Sequence, residues 1–306
     1  MTTIDGPTLD RIARPSGTMA MVAMDQRESL RTMFADAGVP GAGDATLVDF
    51  KRAVARELTP LASAFLVDRD LGLRDIVDDG LVAPGCAVIA AADALVQEPG
   101  QIVEDTDLDD VVAAPEFSLQ GIDAIKLLVI WRRDARREQR VDLARRFVEL
   151  ARSRGVLSVL EPVVRATPEE LDAGTWDGEA AIREAARELS ATRPDLYKVQ
   201  VPLGGRASHD ELVAECRLLD DAIATPWVVL SQGVALDAFP AAVRAACEAG
   251  ASGFLAGRAL WSDVVGASDV PHALREVSVP RLAALGDVVD AYGRPWREAA
   301  AAKGLL

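Results

Sequence analysis

The chain has 306 residues, half of them hydrophobic, enough for one large domain or two small ones with a sizeable core. Its 33 Lys and Arg stand against 48 Asp and Glu, a formal net charge of −15, which argues against nucleic acid or an anionic membrane surface as partner. Two histidines rule out a zinc site of three histidines, and three widely spaced cysteines indicate no disulfide framework and fit a reducing cytoplasm.

The polar stretch over residues 1–17 lacks the apolar segment of a signal peptide. The apolar run 18–24 predicts a strand that ends in Asp25-Gln26-Arg27, and helices follow over 29–37 and about 45–58. Strands are predicted over 64–67, ending at Asp68, and over 87–90. The apolar run 86–92 stops at Asp93, far too short to cross a bilayer. The acidic stretch 98–118, with Asp109 and Asp110, predicts a solvated surface segment.

A fourth strand over 125–131 leads through Arg132-Arg133 to a helix over 138–154, which Gly155 stops. A fifth strand covers 157–162. Thr167-Pro168-Glu169-Glu170 and Ser208-His209-Asp210-Glu211 are capping boxes, and His209 reads as part of a helix start. Between them lie a helix over 179–190 and a sixth strand within 195–202, centred on Lys198. A helix over 209–223, a strand over 227–230 ending Ser231-Gln232-Gly233, a helix over 237–249 and a strand over 253–256 ending Gly257-Arg258 complete the series.

Eight apolar strands, each trailed by a helix, predict parallel strands covered on the outside. In this length they make a (β/α)₈ TIM barrel, one domain over 1–306 with extra terminal helices. A doubly wound open sheet is the alternative, but no GxGxxG follows the first strand.

Barrel active sites lie at the C-terminal strand ends, which here supply Asp25, Asp68, Glu161, Lys198, Ser231 and Arg258. Only four residues are lysine, and two of them, Lys126 and Lys198, lie in apolar strands. A desolvated lysine can lose its proton and form an imine with a ketone, and arginine can do neither. Alternation puts Lys126 on a face with Leu128 and Ile130, Glu161 with Val159, and Lys198 with Leu196 and Gln200. On neighbouring strands the three would converge, with Lys126 the deeper. A second ammonium and a dry interior would favour the free amine of Lys198, and Glu161 would move protons. The ordinary alternative is a buried ion pair, with the Lys198 stem covered and its head reaching water or a carboxylate. At the last two strand ends, Ser231, Gly233, Gly257 and Arg258 suit an anion: a hydroxyl, glycines for close backbone approach and a guanidinium.

The blocks Met24-Asp25-Gln26-Arg27-Glu28, Leu66-Val67-Asp68, Lys126-Leu127-Leu128-Val129, residues 158–165, Asp195-Leu196-Tyr197-Lys198-Val199, residues 227–231 and residues 250–258 span nearly the whole chain. In that order they resemble class I aldolases of the tagatose-1,6-bisphosphate aldolase type, and most of all the bacterial sulfofructosephosphate aldolases. The resemblance implies a Schiff-base enzyme without cofactor or metal. It would cleave 6-deoxy-6-sulfofructose 1-phosphate to dihydroxyacetone phosphate and 3-sulfolactaldehyde in sulfoglycolysis. Lys198 matches the imine-forming lysine, Glu161 the proton-shuttling glutamate, and Lys126 and Asp25 assisting residues. Ser231, Gly233, Gly257 and Arg258 would take the C1 phosphate, Gln26 and Arg27 the sulfonate, and Asp68 would stand among the substrate contacts. The plain alternative for Arg27 is an ion pair with Glu28 or Asp25. A cytoplasmic homo-oligomer, dimer or tetramer, is implied as well. The alternatives are a tagatose- or fructose-1,6-bisphosphate aldolase, and a phosphosugar-binding regulator without turnover.

Overall fold

Alternation along the strands sorts the side chains into an inner and an outer layer in the computed structural model, which describes residues 7–98 and 100–306. The first six residues of the polar N-terminal stretch, and Pro99 of the acidic stretch, lie outside the described residues. The strands are β1 (Met19–Met24), β2 (Ala64–Val67), β3 (Ala87–Ala91), β4 (Asp93–Val96), β5 (Asp105–Leu108), β6 (Ala124–Trp131), β7 (Leu157–Val164), β8 (Leu196–Val199), β9 (Trp227–Val229) and β10 (Gly253–Ala256). Eight of them, all parallel, close into a barrel in the order β1-β10-β9-β8-β7-β6-β3-β2, and β4 and β5 form a separate antiparallel pair. The TIM barrel expected from the sequence is the fold observed.

Met19, Met21 and Ala23 of β1 meet Leu157 and Val159 of β7, Leu196 of β8 and Leu255 of β10 inside the barrel. Residues of the other parity, such as Phe65, Leu160, Tyr197, Trp227 and Phe254, pack outward with Leu47, Phe147, Leu189 and Phe239 of the surrounding helices. Burying each large apolar side chain contributes about 1.5–3 kcal/mol. A one-residue slip of a strand would turn a whole row to the wrong layer, so the register is held firmly. The buried indoles keep their N–H bonds satisfied: Trp131 donates to Glu188 at 2.9 Å and Trp227 to Asp220 at 2.7 Å.

Leu9, Ile12, Trp296 and Ala300 join the inner cluster and plug the N-terminal end of the barrel. A Cβ on Gly253 would lie 1.9 Å from the Met19 carbonyl oxygen, and its φ is +143°, so only glycine lets β10 run this close to β1. Between β7 and β8, the Asp195 carboxylate accepts from the Ser158 N–H at 2.8 Å and its hydroxyl at 2.7 Å. This clamp fixes Val159 opposite Leu196, and with it Glu161 beside Lys198.

Two expectations need correction. The acidic stretch is not simply solvated: its residues 105–108 pair with 93–96 as a hairpin. Asp109 is buried, caps the helix Asp110–Ala113 and accepts from Arg69 at 2.6 Å. Its charges are absorbed by arginines and free N–H groups, which a run of acidic letters does not reveal. The fifth strand also does not stop at Pro162. Proline removes one donor but keeps the chain extended, and β7 continues to Val164. Both predicted capping boxes form, on Thr167 with Glu170 and on Ser208 with Glu211. His209 is the first helical residue rather than the cap, and its Nε2 meets Glu248 at 2.8 Å. Among the described residues no helix is long and apolar enough to cross a membrane.

Candidate active site

The C-terminal strand ends open into a cleft of about 510 Å³. Its floor holds a cluster built from five strand ends. Lys126, inward on β6, lies 2.6 Å from Asp25, 2.7 Å from Asp93 and 3.2 Å from Glu161. The other oxygen of Glu161, inward on β7, lies 2.8 Å from the Lys198 Nζ on β8. The convergence read from alternation is present, with Lys126 the most enclosed: it is 1% exposed, Lys198 3% and Glu161 8%.

Burial works against the charge of Lys126, but Asp25, Asp93 and Glu161 overcome it and hold its ammonium well above the usual lysine value. Burial also opposes ionisation of Asp25. Lys126 and then Lys198 outweigh it and keep that carboxyl well below the usual carboxylate range. A depressed carboxyl lends stability that is lost only as pH falls through its folded value, so Asp25 keeps its charge into strong acid. The second ammonium expected beside Lys198 is therefore present but not bare. It sits at the centre of three carboxylates, the place a cation would take.

The pairing continues outward. Arg27 donates to the Asp93 carbonyl at 3.1 Å and its carboxylate at 3.2 Å, and its Nε lies 3.7 Å from Asp68. Asp68 in turn pairs with Lys51 of the helix Asp44–Leu58, and both are fully buried. Burial raises the Asp68 carboxyl and lowers the Lys51 ammonium, so each charge depends on the other. Lys51→Met is expected to lower the unfolding free energy by about 3–5 kcal/mol, read by urea denaturation, because it leaves a buried carboxylate without its cation. A cost under about 1 kcal/mol, the scale of an exposed pair, would show that Asp68 is not held this way.

Asp68 accordingly does not stand in the cleft. It is 0% exposed and fully engaged, with Leu71 N–H at 2.9 Å besides Lys51, so it braces Arg27 rather than touching a ligand. Gly233 also lies outside the lining; it is exposed at φ +81°, and Gln232 faces the cleft instead. Gln26, Arg27, Ser231, Gly257 and Arg258 do line it. Gly257 admits no side chain, since a Cβ there would lie 2.5 Å from the Ala23 carbonyl oxygen and 3.1 Å from the Gln26 amide. Arg27 pairs with neither Glu28 nor Asp25, but with the two strand-end aspartates Asp93 and Asp68.

Sequence reasoning missed Asp93 and Arg165, which also face the cleft. Asp93 follows the third strand as Asp25 and Asp68 follow the first two, and that position was the available signal. Arg165 escapes because the sequence reading ends the strand before it at Pro162. Five cationic and three carboxylate side chains line the cleft, so a chain of strongly negative total charge presents local positive charge here.

Other candidate groups lead nowhere comparable. Burial pushes the thiols of Cys86, Cys216 and Cys247 up to about 12, so none is a nucleophile at neutral pH. A cleft of about 790 Å³ between β5 and the helix Arg137–Ser153 is lined by charges that pair among themselves, Arg136 with Asp105 and Arg146 with Asp107.

Against known proteins, residues 19–263 match the model of the DeoC/LacD family aldolases. The chain is 26% identical to a tagatose 1,6-diphosphate aldolase of Listeria monocytogenes, with 94% of this chain and 92% of that protein covered. It is also 26% identical to a tagatose 1,6-diphosphate aldolase of Streptococcus agalactiae, with 95% and 96% covered. Among solved structures, fructose-bisphosphate aldolase from Plasmodium falciparum superposes with a TM-score of 0.67 at 13% identity, over 95% of this chain and 99% of that one. A Schiff-base-forming fructose-1,6-bisphosphate aldolase superposes at 0.53, also at 13% identity, over 88% and 96%. The match runs over most of the chain, and this protein belongs to the DeoC/LacD family of aldolases.

Proposed function

We propose that the protein is a Schiff-base aldolase that cleaves a phosphorylated ketohexose between C3 and C4. The observation that carries this is the 2.8 Å contact between the Lys198 Nζ and Glu161 in a buried, cation-rich cleft. Lys198 passes a proton to Glu161 and adds as free amine to the C2 ketone; Glu161 returns that proton to the leaving hydroxyl, so that loss of water gives an iminium and the Glu161 carboxylate. Glu161 takes the C4 hydroxyl proton, the C3–C4 electrons move into the iminium to give an enamine, and C4 leaves as an aldehyde. Glu161 returns the proton to C3, and water releases dihydroxyacetone phosphate and the amine. Lys126 and Asp25 hold Glu161 and the surrounding charge in place, and Ser231, Gly257 and Arg258 take the C1 phosphate.

The curated relatives bear the name of tagatose bisphosphate, so a ketose 1,6-bisphosphate is the first substrate to assign, with glyceraldehyde 3-phosphate as second product. The 6-sulfonate substrate expected from the sequence stands second. It is favoured by one guanidinium away from the C1 site, Arg165, which among the described residues stands in no ion pair and has a buried Nε without a partner, enough for a single negative charge. Borohydride added with dihydroxyacetone phosphate is expected to fix a covalent adduct on Lys198, located by peptide mass. Cleavage kinetics on tagatose 1,6-bisphosphate, fructose 1,6-bisphosphate and 6-deoxy-6-sulfofructose 1-phosphate, with and without chelator, rank the substrates. No adduct and no cleavage would end the aldolase reading.

A further inference from the structure

The cleft's cations divide into two kinds. Lys126, Lys198 and Arg27 each face a carboxylate. Arg165 and Arg258 line the same cleft and, among the described residues, stand in no ion pair with it. Arg165 is the more telling of the two. Among the described residues its Nε is buried with no hydrogen-bond partner, a state that calls for a water, an ion or a ligand to complete it. Its charged neighbour Arg132 is already held by Glu104, at 2.9 Å to the carboxylate and 2.7 Å to the carbonyl oxygen. Burial and Arg132 together work against the Arg165 charge, with Glu104 opposing them only in part. An anion arriving there would relieve both penalties.

The position fits one end of a linear substrate. Arg165 follows β7 with the inward parity of Glu161 and Val163, and Arg258 follows β10. Strands β8 and β9 separate β7 from β10 in the barrel, and β8 carries Lys198. A ketose with its C1 phosphate at Arg258 and its C2 at Lys198 would thus direct its far end toward β7. The wall there is apolar: Leu128, Ile130, Val163 and Val103 of the hairpin loop pack together, which strengthens a charge contact by excluding water. Arg27, the sequence-based choice for the distal anion, also has a buried Nε without a hydrogen-bond partner, but its charge is already met: its Nη atoms donate to Asp93 and its Nε lies 3.7 Å from Asp68.

The geometry points to Arg165, not Arg27, as the residue that holds a second oxoanion at C6 and so selects bis-anionic ketoses over ketose monophosphates. This rests on the aldolase reading for the orientation of the substrate. The shared chemistry is a tetrahedral oxoanion, phosphate or sulfonate.

The test compares non-cleavable hexitol 1,6-bisphosphate with hexitol 1-phosphate by calorimetry, and tagatose 1,6-bisphosphate with tagatose 1-phosphate by kcat/KM. The wild type is expected to prefer the bisphosphate in both assays. Arg165→Gln is expected to reduce that preference about 100-fold, the scale for losing one partner of a desolvated charge contact. Arg165→Lys, which keeps the charge without the planar fork, is expected to fall between. A wild type without the preference, or an Arg165→Gln enzyme that keeps it whole, overturns the proposal. If Arg165→Gln does not fold, the lysine variant decides: full preference retained counts against a guanidinium contact, and partial loss supports it. A preference present in binding and lost in Arg165→Gln, with no cleavage by any variant, would remove the aldolase reading alone. Higher kcat/KM on the 6-sulfonate than on the 6-phosphate would assign the anion as sulfonate, and the reverse as phosphate.

Discussion

Replacing Lys198 with methionine is expected to lower cleavage by at least about 10⁴-fold, the scale seen when a covalent nucleophile is removed. Methionine keeps the length of the side chain and fits the buried strand, so the barrel should persist. What disappears is the amine that the proposed mechanism sets against the ketone. Lys126 offers no substitute, because Asp25, Asp93 and Glu161 surround it and hold its proton. Arginine at position 198 would keep a cation beside Glu161 but form no imine, so Lys198→Arg should be as inactive as Lys198→Met. Steady-state cleavage and borohydride trapping are the measurements. Retention of more than about one hundredth of the activity in a folded Lys198→Met protein would be incompatible with imine catalysis at this residue.

Glu161→Gln should lower kcat by about 10²–10⁴-fold, the range for loss of a positioned acid–base group. The amide keeps the shape and accepts a hydrogen bond from Lys198, but it takes no proton from the C4 hydroxyl. Lys126 would keep Asp25 and Asp93, at 2.6 and 2.7 Å, so the cluster should not collapse. The sharper expectation is a separation of steps: reductive trapping of Lys198 continues at a lower rate while carbon–carbon cleavage fails. Cleavage at the wild-type rate would remove Glu161 from the chemistry. Trapping lost in parallel with cleavage would place Glu161 in imine formation alone.

Much of this site was visible as letters. Lys126, Glu161 and Lys198 each interrupt an apolar strand, where a charge has no reason to lie unless something answers it. Their parity placed them on inward faces, and the order of strands made them neighbours. Asp68 shows the limit of that reasoning. It ends its strand as Asp25 does, yet Lys51, one helix away, draws it under the surface. Arg27 likewise reads from the sequence as a ligand contact or as a partner of Glu28 or Asp25, and the fold pairs it with Asp93 instead. Asp93 itself only marks the end of an apolar run in the sequence, and its pairing with Lys126 and Arg27 shows its part in the cluster.

By itself the sequence determined the alternation of strand and helix, the inward parity of the two site lysines and the glutamate, and the capping boxes that start two helices. These depend on spacing along the chain, and spacing is what a sequence records. Tertiary structure decided which carboxylate meets which cation. Asp25, Asp68, Asp93 and Glu161 sit on four different strand ends, and the closure of the barrel settles their distances to Lys51, Arg27, Lys126 and Lys198. Among the described residues it also left Arg165 and Arg258 in no ion pair. Charge pairing falls off with separation in space, and separation in space between distant segments is a product of folding rather than of residue order.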